Sequence, residues 1–206
     1  MDAAFLITAF ATLFVVIDPI GLAPIFIALT QGADRQHRRK LALRSCGIAL
    51  AVLTLFTFFG EAVLGFIGIS MPAFRIAGGI LLFLTALDML FERRSKRRED
   101  KAGEEDALPD PSVFPIAIPL IAGPGAIATM ILLAGQTGSV LEIAAILAVL
   151  VVVLLVVLLF FLSAGIIEHA LGHTGIVVVT RLLGMLLAAL SVQFVIDGLR
   201  NIGALG

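Results

Sequence analysis

The chain has 206 residues, of which 60% are hydrophobic and 14% charged, a net charge of -1 and a mean hydropathy of +1.14. So few polar groups cannot cover a water-facing surface, which excludes a soluble globular domain and points to a bilayer. The net charge says nothing about partners because the two signs are segregated along the chain, and a lone cysteine, Cys46, excludes a disulfide framework and a Cys-rich metal site.

A membrane-spanning helix needs about 20 mostly apolar residues at ~1.5 Å rise each. Six such spans are predicted, over 3–30, 41–60, 72–91, 113–135, 140–167 and 175–198. Val149 to Leu162 is apolar at every position, which suits a helix in lipid and not the alternating strands of an outer-membrane barrel.

In the first span no basic residue precedes the apolar run and Asp18-Pro19 interrupts it, so it is expected to be a retained helix and not a signal peptide. Proline lacks a backbone N–H and clashes with the carbonyl four residues back, so a helix reaching Pro19 stops and restarts there with Asp18 at the N-cap. Gly21 follows closely, and Pro24 adds further irregularity. Arg35, Arg38, Arg39, Lys40 and Arg44 flank the connection to the second span, which is expected to end at Glu61.

The third span carries Arg75 one turn before Gly78, and Asp88 near its far end. Residues 92–112 are basic and then acidic, a composition that cannot bury a core and is expected to form a linker or hinge. The fourth span contains Pro115, Pro119 and a second interruption, Gly123-Pro124-Gly125-Ala126, with Thr129 one turn further on. The fifth is expected to end at Glu168. His169 and His173 have the i, i+4 spacing of metal ligands, but no further Cys, His or acid pattern completes a site beyond Glu168, so no metal is expected. The sixth repeats the third, with Arg181 one turn before Gly184 and Asp197 near its end.

That repetition extends to the whole chain. Phe14 to Phe26 corresponds to Pro119 to Ile131, Glu61-Ala62-Val63-Leu64-Gly65 to Glu168-His169-Ala170-Leu171-Gly172, and Arg75-Ile76-Ala77-Gly78 to Arg181-Leu182-Leu183-Gly184, all at offsets of roughly 105 to 107 residues. The organisation read from this is a first three-helix repeat (1–91), a charged linker (92–112) and a second repeat (113–206) in one membrane domain. Three spans are an odd number, so the repeats should enter the membrane from opposite sides, as in many secondary transporters with a central site. Eleven of the 14 Lys and Arg flank the connection between spans one and two or lie between spans three and four, which the positive-inside rule places in the cytoplasm, leaving both termini outside. These charges are expected to meet lipid and not nucleic acid.

Backbone groups freed at the two breaks cost several kcal/mol each in hydrocarbon, so the breaks should line the protein interior. A half-helix N-terminus carries about half a positive charge and unpaired N–H groups, an arrangement suited to a carboxylate. The amides of Gly123-Pro124-Gly125 are therefore expected to hold a substrate carboxylate. Asp18 is expected to take an ammonium group or a coupling proton, or simply to cap its half-helix. Pro19, Gly21, Pro24 and Thr129 complete the substrate-binding candidates, and Arg75, Gly78, Arg181 and Gly184 are candidate gating residues. Asp88 and Asp197 read as interfacial caps or local ion-pair partners. Catalytic constellations are absent and no cofactor is expected, so transport must run on a substrate or ion gradient, with a proton or sodium as coupling ion.

With these segments in view, the chain resembles the MarC family of small bacterial membrane proteins, also described as SnatA-type neutral amino-acid transporters. Ala122-Gly123-Pro124-Gly125-Ala126-Ile127-Ala128, Phe74-Arg75-Ile76-Ala77-Gly78-Gly79, and Arg181-Leu182-Leu183-Gly184 leading to Val192-Gln193-Phe194-Val195-Ile196 carry the resemblance. It implies an all-α, six-helix protein of the bacterial inner membrane that exports or exchanges small neutral amino acids such as glycine, alanine, serine or threonine. It also implies Asp or Asn before the first proline, so that a hydrogen-bonding role at Asp18 fits both. The competing readings are a cation or metal-ion permease, which calls for several buried carboxylates, and a non-transporting membrane component, which leaves the paired breaks without a purpose.

Overall fold

The computed structural model describes residues 3–30, 33–91 and 111–204, excluding the side chains of Ile167, Glu168 and His173. In chain order the elements are α1 (Ala3–Ile17), α2 (Pro19–Leu29), α3 (Arg35–Ile67), α4 (Met71–Leu90), an irregular wound segment (Ser112–Ile121), α5 (Pro124–Ala134), α6 (Val140–Leu162) and α7 (Ala164–Asn201). No strand occurs among the described residues. Among the described residues five helical stretches are long and apolar enough to cross a membrane, and the wound segment with α5 adds a sixth if that bent pair is one span. The predicted linker lies almost wholly outside the described residues.

Local chemistry sets the helix ends. Asp34 caps α3 by accepting a hydrogen bond from His37 N at 2.6 Å, so α3 begins well before residue 41 and takes Arg35, Arg38, Arg39 and Lys40 into its first turns. It ends at Gly68, a left-handed residue (φ 82), where Ile69 N donates to Leu64 O at 2.8 Å, a closure that favours glycine. Glu61 therefore lies inside α3 and not at its end. The fifth span also stops earlier than expected: Ser163 ends α6 after Leu162, and Glu168 belongs to the next helix. That helix is bent at Gly172 (φ 61, ψ 173), and its membrane-crossing part is Thr174–Asn201.

Each half packs chiefly on the other half. The wound segment and α5 lie against α3, α5 also meets α4, α1 and α2 lie against α6 and α7, and α4 runs along α7. Within a half, by contrast, α3 barely touches α4 and α6 barely touches α7. The α4–α7 pair is antiparallel and close. A Cβ on Gly79 would come within 2.8 Å of the Ser191 carbonyl oxygen, and one on Gly198 within 3.0 Å of the Pro72 carbonyl oxygen, so backbones meet where only glycine fits.

The interrupted spans occupy the centre. In the most apolar stretch of Ala3–Leu29, 67% of residues are buried, against 22% in α3 and 28% in α4. Leu13, Ile17, Leu22, Met130 and Leu132 are fully enclosed. The outer helices turn Leu55, Phe58, Phe59, Phe66, Leu155, Leu159 and Leu186 outward. Such continuous exposed apolar surface is stable only against lipid.

Candidate functional site

The first break is one residue wide. Asp18 adopts a left-handed conformation (φ 57, ψ 65), the only non-glycine among the described residues to do so, in a region that short polar side chains tolerate best. Its carboxylate, 1% exposed, turns back on its own half-helix and accepts from Gly21 N at 3.0 Å. Backbone bonding resumes at once: Asp18 N donates to Phe14 O at 2.9 Å and Leu22 N to Asp18 O at 3.0 Å. The span accordingly continues from Ala3 to Leu29 as one crossing. A Cβ on Gly21 would collide with the Asp18 carboxylate, which is why glycine stands there. Pro24 is accommodated inside α2, which runs on to Leu29.

The second break is wider and open. Phe114 (φ -128, ψ 129) and Ile118 (φ -129, ψ 121) are extended, as expected of residues that precede prolines, here Pro115 and Pro119. Wide turns with Ile116 N donating to Pro111 O (3.2 Å) and Ala122 N to Ala117 O (2.8 Å) carry the chain past them. The wound segment then meets α5 at a bend of 57°. Gly123 precedes α5 in an extended conformation (φ -82, ψ 171), and no side chain caps this end. A Cβ on Gly123 would lie 2.6 Å from the Pro119 carbonyl oxygen, so no capping side chain could be placed there without moving the backbone. By helical geometry the first amides of α5 lack intrahelical acceptors.

This end of α5 lines a cavity of about 140 Å³ formed by Gly123, Pro124, Gly125 and Ala126 together with Pro119, Val16, Thr85 and Asp88. Above Gly125 the walls are tight: a Cβ there would stand 3.2 Å from Leu82 Cδ2, 3.2 Å from Val16 Cγ1 and 3.8 Å from Thr85 Oγ1. The half-buried Asp88 contributes the cavity's only acidic side chain among the described residues.

The expected site residues therefore separate. Gly123, Pro124 and Gly125 line the cavity, whereas Asp18, Pro19, Gly21 and Pro24 form the first break and do not; Val16 alone represents that span in the lining. The Asp18 carboxylate accepts from its own half-helix and is not brought to this cavity. Thr129 is fully buried and donates from Oγ1 to Gly125 O at 2.8 Å, bracing α5 from within. Arg75 on α4 is half-buried and Arg181 on α7 exposed, at opposite ends of the antiparallel pair. Gly78 faces Leu132 of α5 and Gly184 faces Met89 of α4, so the two glycines meet different partners.

From sequence Asp88 reads as an interfacial cap or local ion-pair partner, and the structure places it in the cavity lining. The available signal was its spacing of three from Thr85, which puts both polar groups on one side of an apolar helix. Asp197 does take the ion-pair role expected of it, 3.9 Å from Arg200 Nη1, and accepts from Gln193 Nε2 at 2.8 Å. No group of three His, Cys, Asp or Glu gathers among the described residues, and the His173 side chain lies outside them.

The model of the MarC family integral membrane protein matches residues 3–203. Among curated relatives, the chain is 40% identical to a UPF0056 membrane protein of Archaeoglobus fulgidus over 95% of this chain and 92% of that one. It is 36% identical to one of Methanocaldococcus jannaschii over 98% of both chains, and 34% identical to the UPF0056 inner membrane protein YhgN of Escherichia coli over 95% and 96%. No solved structure matches the chain. A helical bundle of apolar candidate spans, two of them interrupted, matched along nearly its whole length by the family model and by these relatives, places this chain in the MarC family of integral membrane proteins.

Proposed function

We propose that the protein is a secondary transporter, an exporter or exchanger, of small neutral amino acids across the cytoplasmic membrane. One observation carries this reading: the uncapped N-terminus of α5 and the Asp88 carboxylate line the same small cavity. An amino-acid zwitterion supplies a carboxylate for the amides of Gly125 and Ala126 and an ammonium for Asp88. Its zero net charge spares the desolvation cost that a lone anion or cation carries into a low-dielectric site. A volume of about 140 Å³ lies well below the ~300–1,000 Å³ typical of pockets for drug-sized ligands, which favours glycine, alanine, serine or threonine over larger substrates.

In this reading the halves form an inverted repeat, and alternating access comes from one half rocking on the other about the central site. The basic α2–α3 connection faces the cytoplasm and both termini face outward. A proton or sodium gradient drives the cycle, Asp18 serves as a structural cap, and the protein performs no covalent chemistry and carries no cofactor.

The test is counterflow of labelled glycine, alanine, serine and threonine in proteoliposomes. Wild-type protein exchanges at least one of them, and Gly125→Leu, which fills the cavity from the half-helix side, abolishes the exchange. Full activity in Gly125→Leu overturns the site, and absence of exchange for all four substrates in the wild type overturns the function.

A further inference from the structure

A second cavity, of about 960 Å³, lies away from the α5 site, where the end of α2 and the start of α3 meet the turn from α6 to α7. Its chemistry is divided. Phe26 and Phe161, both almost fully buried, stack at 4.3 Å between centroids and 5° between planes and form an apolar floor. Arg35, Arg38 and Arg39, within the first turns of α3, supply three guanidinium groups. Arg38 is held in place by donating from Nε to the Thr30 carbonyl oxygen at 3.2 Å, which ties α3 to the end of α2. No carboxylate lines the cavity among the described residues. At its edge Leu162 and Ile166 are 51% and 74% exposed, so the opening is continuous with the apolar outer surface. The start of α7 at Ser163 and Ala164, which no side chain caps, also lines it.

A space with a basic wall, an apolar floor and an apolar lip fits an amphiphile with an anionic head and a hydrocarbon tail. A soluble zwitterion would leave the floor and lip unused, and a soluble anion would use only the wall. Guanidinium groups bind phosphate oxygens in forks of paired hydrogen bonds, and basic pockets between helices at a membrane surface are suited to phospholipid headgroups. We propose that this cavity binds the phosphate headgroup of one anionic phospholipid, with Arg35, Arg38 and Arg39 on the phosphate and the acyl chains leaving past Leu162 and Ile166. The lipid thereby bridges the first half, through α2 and α3, to the second, through α6 and α7.

The experiment uses delipidated full-length protein in detergent, titrated with phosphatidylglycerol, phosphatidylcholine or soluble glycerol phosphate and followed by native mass spectrometry and thermal unfolding. The expected result is one retained phosphatidylglycerol per chain, at least tenfold preference over phosphatidylcholine, and a rise in unfolding temperature that glycerol phosphate does not reproduce. The combined variant R35Q/R38Q/R39Q loses that preference, R35K/R38K/R39K keeps part of it, and Lys40→Gln, which removes an equal single charge beside the cavity, keeps it all. Each arginine is expected to contribute roughly fivefold. Equal retention of phosphatidylcholine, an equal effect of glycerol phosphate, or undiminished preference in the glutamine variant overturns the proposal. If the triple variant does not fold, Arg39→Gln alone decides by the same criterion, because its side chain is exposed and holds no backbone contact.

Discussion

The two breaks begin from similar sequence, a proline opening a half-helix in the middle of a span, and end as different structures. At the first, a carboxylate on the residue before proline satisfies the new helix end, and the crossing continues with backbone bonding resumed within one residue. At the second, glycine provides no cap, two further prolines unwind the preceding turns, and the chain bends by 57° beside a cavity. A helix end satisfied within its own segment has its acceptor already, while one left uncapped beside a cavity has amides to offer an anion. On the function proposed above, the difference of one side chain, Asp18 against Gly123, separates a joint from a site.

Substitutions can break or sharpen this contrast. Beyond Gly125→Leu, the largest effect on transport is expected at Asp88: Asp88→Asn should weaken apparent substrate affinity about tenfold, ~1.4 kcal/mol, with little change in unfolding temperature. Affinity equal to wild type would detach Asp88 from the ammonium. At the first break the effects should appear in stability. Asp18→Ala removes a cap worth ~0.5–2 kcal/mol and leaves alanine in a left-handed conformation costing roughly 1–2 kcal/mol. Gly21→Ala displaces the same carboxylate, so the double variant should lose no more than the worse single one, as chemical denaturation in mixed micelles can measure. Additive losses would mean that Asp18 and Gly21 act separately.

Asp18→Asn keeps the acceptor and tolerates the left-handed backbone, so both stability and dependence on a proton gradient should match wild type. A transport cycle that becomes insensitive to the gradient would make Asp18 a proton carrier. Thr129→Val gives up a hydrogen bond to the Gly125 carbonyl worth about 0.5–1.5 kcal/mol and should leave transport unchanged.

Much of this plan is legible in the sequence because lipid enforces it. Spans need length and apolarity, and Pro19 and Pro124 each open a new helix, so the candidate spans and both breaks follow from composition and from these two prolines, while Pro24 is carried inside α2. What each break does depends on which neighbour faces it. Asp88 is one polar residue near the end of an apolar helix until the packing of α4 on α5 is known. Helix ends were legible only where a cap speaks clearly. Asp34 and Gly68 extend α3 beyond its apolar stretch, and Ser163 divides a run whose hydrophobicity continues across it.

The interlocking of the halves also has a consequence for biosynthesis. The first three crossings leave the ribosome before the helices they pack against exist, and their small-residue faces must wait in the bilayer for partners made from the second half. Premature termination after residue 91 therefore leaves a fragment whose mating surface is bare, a natural target for membrane quality control.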